Sequence, residues 1–461
     1  MSNSTWTLVS VALHARFFGM QRDAKSAPVQ QKSSAVLLAA AGLAGAPCAS
    51  AEQTLYRNPE QATELVLNLD AIGAWYRSED AWFGESEAFL GAPVDRWAEF
   101  GVEPTLSFET RAGRGSLFAS LSGVYTSTVG DDASGSTVGL ADTDALTLEQ
   151  AHVGWRRDDV FAALEGDTLS VTAGRLDYSI GTGLLIDDGG ADGGDRGGWY
   201  LGMRKAFSQS LVATLDSETW LVEVFRLKNQ PRAGDTRGEA HGANVEYRFG
   251  DSAALGTSYF RVDTDEPLFE TLDVYSARAS FSAGNGLELA AEYADEGSGQ
   301  IDANGYYAEI GYSLESRPWS VRFRRARFTG DDPATPLDER FREIAYGMTD
   351  WGSWYQGEIT GEYALGNGNL ESRLVRLTLA PSADVTFNLM YYRFTFDAPA
   401  SFGAAADDWG DELNFTVEWA ATDLVSVTGV LGVLRPGDAA EQIVGGSSDW
   451  THAMLLVSYS W

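Results

Sequence analysis

From about residue 63 to its end the chain alternates apolar and polar residues in runs of roughly ten, separated by Gly-, Asp- and Pro-rich gaps. Period-two alternation predicts β-strands with one apolar face. In Glu64-Leu65-Val66-Leu67-Asn68-Leu69-Asp70 the leucines share one side and Glu64, Asn68 and Asp70 the other. The same division recurs in Asn244-Val245-Glu246-Tyr247-Arg248-Phe249, in Leu287-Glu288-Leu289 and in Glu412-Leu413-Asn414-Phe415-Thr416-Val417-Glu418-Trp419. About 18 such runs are predicted, near residues 63–77, 96–111, 115–128, 146–157, 169–177, 209–216, 219–229, 241–250, 253–262, 271–281, 287–295, 304–314, 318–328, 371–380, 384–396, 411–420, 424–434 and 451–461. Tight links such as Ala112-Gly113-Arg114 and Gly250-Asp251 predict turns at one end. The long gaps 78–95, 129–143, 178–198, 329–370 and 435–450 predict extracellular loops or lumen inserts at the other.

A soluble sandwich also alternates. Three features favour a transmembrane barrel: polar faces too charged for a dry core, aromatics at strand ends (Trp75, Tyr293, Trp319, Trp419), and a last strand with Ala453, Leu455, Val457, Tyr459 and Trp461 on one face. That last strand resembles the signature read by the outer-membrane barrel-assembly machinery. The expected fold class is therefore all-β, a transmembrane antiparallel β-barrel of about 18 strands (16–18), wide enough for a wet lumen. Trp199 to Phe207 does not alternate and is expected to form a short helix in or beside that lumen.

The segment Ala35–Ala46 is apolar but too short to span a bilayer as a helix. With Lys32 before it and Ala49-Ser50-Ala51 after it, residues 1–51 read as a secretory signal peptide. Residues 1–19 exceed what a signal needs and are consistent with a mis-assigned start upstream of Met20. Residues 52–461 are expected to form one outer-membrane barrel domain. The single Cys, Cys48, falls inside the signal segment.

Asp and Glu number 66 against 33 Lys and Arg, a formal charge of −33, which argues against a nucleic-acid partner. Acids concentrate in the gaps, where outer-leaflet lipopolysaccharide would meet them. A mean hydropathy of −0.18 is too polar for a bundle of membrane helices. The four His residues (His14, His152, His241, His452) suggest no Ser-His-Asp or metal-ligand spacing, so no enzyme and no obligate cofactor is expected. Asp187, Asp188, Asp192 and Asp195 lie in a glycine-rich gap and form a candidate Ca²⁺ cluster, weighed against simple hydration. Arg278, Arg322, Arg324 and Arg376 sit on polar strand faces and could recruit a carboxylated solute. They could equally brace the wall against Glu64, Asp70, Glu109, Glu246, Glu288, Glu292, Glu309, Glu412 and Glu418.

Leu169–Tyr178 followed by Gly181-x-Gly183-Leu184-Leu185-Ile186, the entry Ala326–Asp331, and the block Trp409–Asn414 with Gly429–Gly437 together resemble the alginate-export family of outer-membrane proteins. The resemblance implies a monomeric 18-stranded barrel passing an anionic polysaccharide through an arginine-lined constriction, gated by inserted loops and a periplasmic partner. It carries over Arg175, and Arg204 in the element after the loop. Arg175 shares parity with Leu169 and Val171, so it reaches the lumen only where a bulge or strand end re-aims it. The expected function is passage of an anionic, alginate-like polysaccharide or related acidic solute. The alternative is a selective uptake porin for small sugars or organic acids.

Overall fold

The computed structural model describes residues 53–232, 235–265, 270–313 and 317–461; the expected signal segment 1–51 lies outside them. After a short strand β1 (Gln53–Asn58) the barrel strands are β2 (Thr63–Glu79), β3 (Arg96–Ala112), β4 (Gly115–Val129), β5 (Thr143–Asp158), β6 (Thr168–Leu176), β7 (Phe207–Asp216), β8 (Trp220–Lys228), β9 (Gly238–Arg248) and β10 (Ala253–Thr264). They continue as β11 (Thr271–Ser282), β12 (Leu287–Gly297), β13 (Asp302–Ser313), β14 (Trp319–Phe328), β15 (Leu370–Ser382), β16 (Val385–Thr395), β17 (Asp408–Ala420), β18 (Val425–Pro436) and β19 (Trp450–Ser460). Each pairs antiparallel with its neighbours in sequence, and β19 pairs back onto β2, from Thr451 opposite Glu79 to Ser460 opposite Asp70. The result is a closed 18-stranded barrel, and every predicted run lies on one of its strands.

Closure is what lets a sheet sit in lipid, because no row of backbone N–H and C=O groups is left unpaired in a medium that cannot solvate it. Below the point where β19 ends, β1 continues along the same edge of β2, with Gln53 opposite Leu67 and Asn58 opposite Thr63. Strands β2 to β5 are 15–17 residues long, the other barrel strands 9–13. Since about ten tilted residues cross the hydrocarbon layer, the first four strands extend past it.

The two faces follow the alternation. Outward positions such as Trp75, Phe100, Leu146, Val153, Leu255, Phe323, Leu377 and Leu431 are exposed and apolar, as a lipid-facing belt must be. Trp319 and Trp419 stand outward near the short-turn rim, and Trp75 and Tyr293 toward the opposite rim. Inward positions in the loop-proximal half are buried: Tyr76, Phe260, Val274, Tyr392, Phe394 and Leu434 belong to one core that the long loops complete from inside.

The helix expected over 199–207 is absent. Residues 199–201 make a turn and β7 begins at Phe207. The N–H groups of Tyr200 and Leu201 donate to the Glu99 carboxylate, at 3.1 and 3.3 Å, and are thereby withdrawn from helical pairing. The helical insert is elsewhere, in the π-helical segment Gly357–Ala364.

All the long loops (80–95, 130–142, 177–206, 329–369, 396–407 and 437–449) leave the same end of the barrel, and the connections 113–114, 249–252, 383–384 and 421–424 lie at the other. Long loops mark the extracellular end of an outer-membrane barrel and short turns the periplasmic end. A membrane-impermeant maleimide on intact cells is therefore expected to label Glu441→Cys, and to label Asp423→Cys only after the outer membrane is permeabilised.

Candidate channel constriction

Two loops decide how much of the lumen is open. Loop 177–206 leaves the wall between β6 and β7, and loop 329–369 between β14 and β15. Eight strands separate these points one way round and ten the other, so the loops enter from nearly opposite walls. They meet in a parallel β-bridge between Ile186 and Ala345. Asp187 and Asp188 N–H both donate to the Ala345 carbonyl (2.6 and 2.9 Å), Ala345 N–H to Leu185 (3.1 Å), and Gly347 N–H to Gly183 (3.1 Å). The Trp354 indole and the Thr349 hydroxyl both donate to the Thr182 carbonyl. Leu184, Leu185, Ile186, Tyr346 and Trp354 are buried around this junction, which supplies the apolar burial that holds polar backbone in mid-lumen.

The π-helical segment closes the β17 side. Glu412 accepts from the N–H groups of Ile359 and Thr360, both at 2.9 Å, and the Asn414 side chain accepts from Glu358 N–H. Gly357 has φ +90°, and a Cβ there would stand 2.7 Å from the Glu412 carboxylate, so only glycine lets the segment approach the wall. Tyr200 of the first loop donates to Glu358, and the Trp199 indole to the Glu362 carbonyl, each at 3.1 Å. The two loops therefore touch at a second place. Tyr363 packs against Trp97, Trp450 and His452 of the barrel wall. The gap 329–370, expected to be a loop or a lumen insert, is an insert; its helical turn was not foreseen, its one signal being the pair Gly357 and Gly361.

The six arginines are inside the barrel but already engaged. β6 and β7 change register between Gly174 and Leu176, and the irregularity re-aims Arg175 inward. Its guanidinium donates to the Glu149 carbonyl at 3.0 Å and to the Gln230 side chain, with the Glu149 carboxylate 4.0 Å away. Arg204 is fully buried, paired with Asp192 at 2.5 Å and donating to Thr126, Thr147 and the Ala145 carbonyl. Arg278 lies against Glu246 (3.3 Å) and Asn244 (2.8 Å). Arg324 donates to the carbonyls of Gly352 and Ser353, and lies 4.7 Å over the Trp354 ring. Arg376 holds Asp350 at 2.7 Å and the Trp351 carbonyl at 2.5 Å. Arg322 keeps the most exposure of the six, about a third of its side chain, amid Glu309 (3.3 Å), Glu288 (3.4 Å) and Asp350 (3.6 Å). Bracing describes most of these side chains. Arg204, Arg324 and Arg376 tie the inserted loops to the wall.

The four candidate calcium ligands do not converge. Asp192 is consumed by Arg204, Asp188 accepts from Gly190 N–H, Asp187 lies beside Gly347, and Asp195 is exposed. Among the described residues no group of three His, Cys, Asp or Glu side chains is placed to hold a metal ion. Burial pushes the Asp188 carboxyl up to about 7 and that of Glu358 up to about 8. Burial also raises Asp192, and Arg204 pulls it back.

No protein-family model matches the sequence, and no curated protein matches it. Solved structures do match the fold. Pseudomonas aeruginosa OccK8 (OprE) aligns with TM-score 0.54 at 12% identity over 86% of this chain and 97% of its own. Pseudomonas aeruginosa OpdL gives 0.53 at 13% over 87% and 98%, and OccD1 (OprD) 0.51 at 11% over 86% and 95%. The chain has the fold of the Occ/OprD-type outer-membrane porins. It is a closed 18-stranded β-barrel, and its structural neighbours are outer-membrane channel proteins and not enzymes. The 18-stranded outer-membrane-type barrel that the resemblance implied is present, and nothing among these neighbours specifically supports the alginate-export family.

Two outcomes follow from the loop junction. Arg204→Leu leaves Asp192 buried without its partner, a loss of about 3–5 kcal/mol for such pairs; single-channel recording is expected to show larger and noisier conductance. Asp188 and Glu358 have raised pKa values in the inserted state, so that state binds more protons than released loops do. Their contribution is fully present below about pH 4 and lost as pH rises through about 7 to 8. Current fluctuations are expected to grow from pH 5.5 to 8.5, and Asp188→Asn with Glu358→Gln to flatten that dependence.

Proposed function

We propose that the protein is a selective channel for small polar solutes, sugars or organic acids, and not a conduit for a polysaccharide. The observation that carries this reading is the pairing of loops 177–206 and 329–369 across the lumen, from Ile186 with Ala345 to Tyr200 with Glu358. A barrel of 18 strands would otherwise leave a broad aqueous pore. A standing bridge of buried backbone converts it into a restricted path beside the bridge, and a restricted path suits solutes of a few sugar units at most.

Charge supports the same reading. A polyuronate needs a row of uncommitted cations, whereas each of the six arginines already has a carboxylate or a carbonyl within reach. Around Arg322 and Arg376 stand Glu288, Glu309 and Asp350, so the neighbourhood is a mixed set of donors and acceptors with no anion-attracting excess. Such a lining suits hydroxyl-rich solutes, and a small carboxylate can compete with Asp350 for Arg322.

Liposome swelling with a graded sugar series tests this. Monosaccharides are expected to enter readily, disaccharides more slowly, and long oligosaccharides or oligouronates not at all. Arg322→Ala is expected to shift the reversal potential toward cations. Entry of oligouronates at a rate near that of monosaccharides would sink the proposal.

A further inference from the structure

On the outside of the barrel, five adjacent strands carry a row of charge at one level. Arg325 of β14 is directly opposite Arg373 of β15, Arg373 opposite Arg393 of β16, Arg393 opposite Asp411 of β17, and Asp411 opposite Arg435 of β18. All five side chains are more than a third exposed. Neighbouring strands are about 4.8 Å apart, and like charges directly opposite one another destabilise an antiparallel pair. Three consecutive guanidiniums are a cost to the folded barrel.

Nearby carboxylates offset that cost unevenly, fully around Arg393 and Arg435 and only in part on β14 and β15. Glu371 is shared between Arg325 (3.1 Å) and Arg373 (2.8 Å), and Asp397 takes Arg327 (2.6 Å), so on β14 and β15 three guanidiniums meet two carboxylates. Arg393 has Asp408 (3.2 Å) and Asp411 (3.5 Å), and Arg435 has Asp449 (3.5 Å). A like-charged outward pair recurs where Arg77 of β2 faces Arg96 of β3.

Two residues toward the turns from each member of the row stands an exposed apolar side chain: Phe323, Val375, Tyr391, Leu413 and Val433. From there to Trp319, Leu379, Phe387, Val417 and Gly429 no outward position on these strands is charged. The row therefore marks the edge of the hydrocarbon layer at the loop end, the outer leaflet, while the opposite edge carries Trp319 and Trp419. On these five strands charged side chains crowd one leaflet boundary and the two tryptophans stand at the other.

We propose that Arg325, Arg373 and Arg393 form a docking surface for the phosphorylated headgroup of an outer-leaflet glycolipid, lipopolysaccharide, with its acyl chains lying over Phe323, Val375 and Tyr391. Guanidiniums match phosphate oxygens in bidentate geometry, and three of them span about 10 Å. A phosphate above the Arg325–Arg373 pair supplies the negative charge that Glu371 alone does not.

The test uses the full barrel purified in detergent and titrated with phosphorylated lipid A, with the same lipid after phosphate removal, and with inorganic phosphate, read by native mass spectrometry and by thermal midpoint. Phosphorylated lipid A is expected to bind and to raise the midpoint. The dephosphorylated lipid and inorganic phosphate at equal concentration are expected to do neither. The variant Arg325→Gln/Arg373→Gln/Arg393→Gln is expected to bind phosphorylated lipid A at least tenfold more weakly. Equal binding of both lipids by the wild type overturns the proposal without recourse to any variant. So does unchanged affinity in the triple variant, or a dimer appearing in place of a lipid adduct.

Discussion

Sheet closure is the constraint on which everything else rests. The pairing of β19 with β2 removes the last free edge from lipid, and once the sheet is closed each residue must face either hydrocarbon or the interior. The alternation of Glu64, Asn68 and Asp70 with Leu65, Leu67 and Leu69 then has only one tolerable register, because a one-residue slip would place carboxylates in the bilayer. That sorting explains how a chain of formal charge −33 can span a membrane: its strand carboxylates turn inward or stand at the rims, and the rest occupy loops.

Inside, a second constraint operates. Polar backbone placed in the lumen needs partners, and the two long loops obtain them largely from each other and from wall side chains. Ile186 with Ala345 is a sheet-like bridge, Glu412 satisfies two N–H groups of the π-helical segment, and Arg324 and Arg376 reach carbonyls of loop 329–369. The arginines thus act first as fasteners of the constriction. Their influence on passing solutes is set by what those bonds leave over, which is greatest at Arg322.

Much of the wall was legible in the chain itself, and the interior much less so. Period two is a local property, so the eighteen strands and the placement of turns at Gly113 and Gly250 could be read residue by residue. The inward aim of Arg175 was conditional on a bulge, and the register change after Gly174 supplies it. The lumen helix was misplaced because its position depends on distant partners. Glu99 captures the backbone of Tyr200 and Leu201 where a helix had been expected, and Glu412 fixes a helical turn over Gly357–Ala364 that no local periodicity announces. The acidic glycine-rich gap looked like an ion site because spacing cannot show that Arg204, twelve residues on from Asp192, claims its carboxylate.

The central claim is that the two loops stand paired across the lumen in the resting channel. Cysteines at Thr182 and Thr349, where the Thr349 hydroxyl donates to the Thr182 carbonyl at 3.0 Å, test it through cross-linking combined with single-channel recording. The account predicts ready cross-linking under mild oxidation and the same conductance before and after reduction. Failure to cross-link, or a conductance that rises several-fold on reduction, would contradict it.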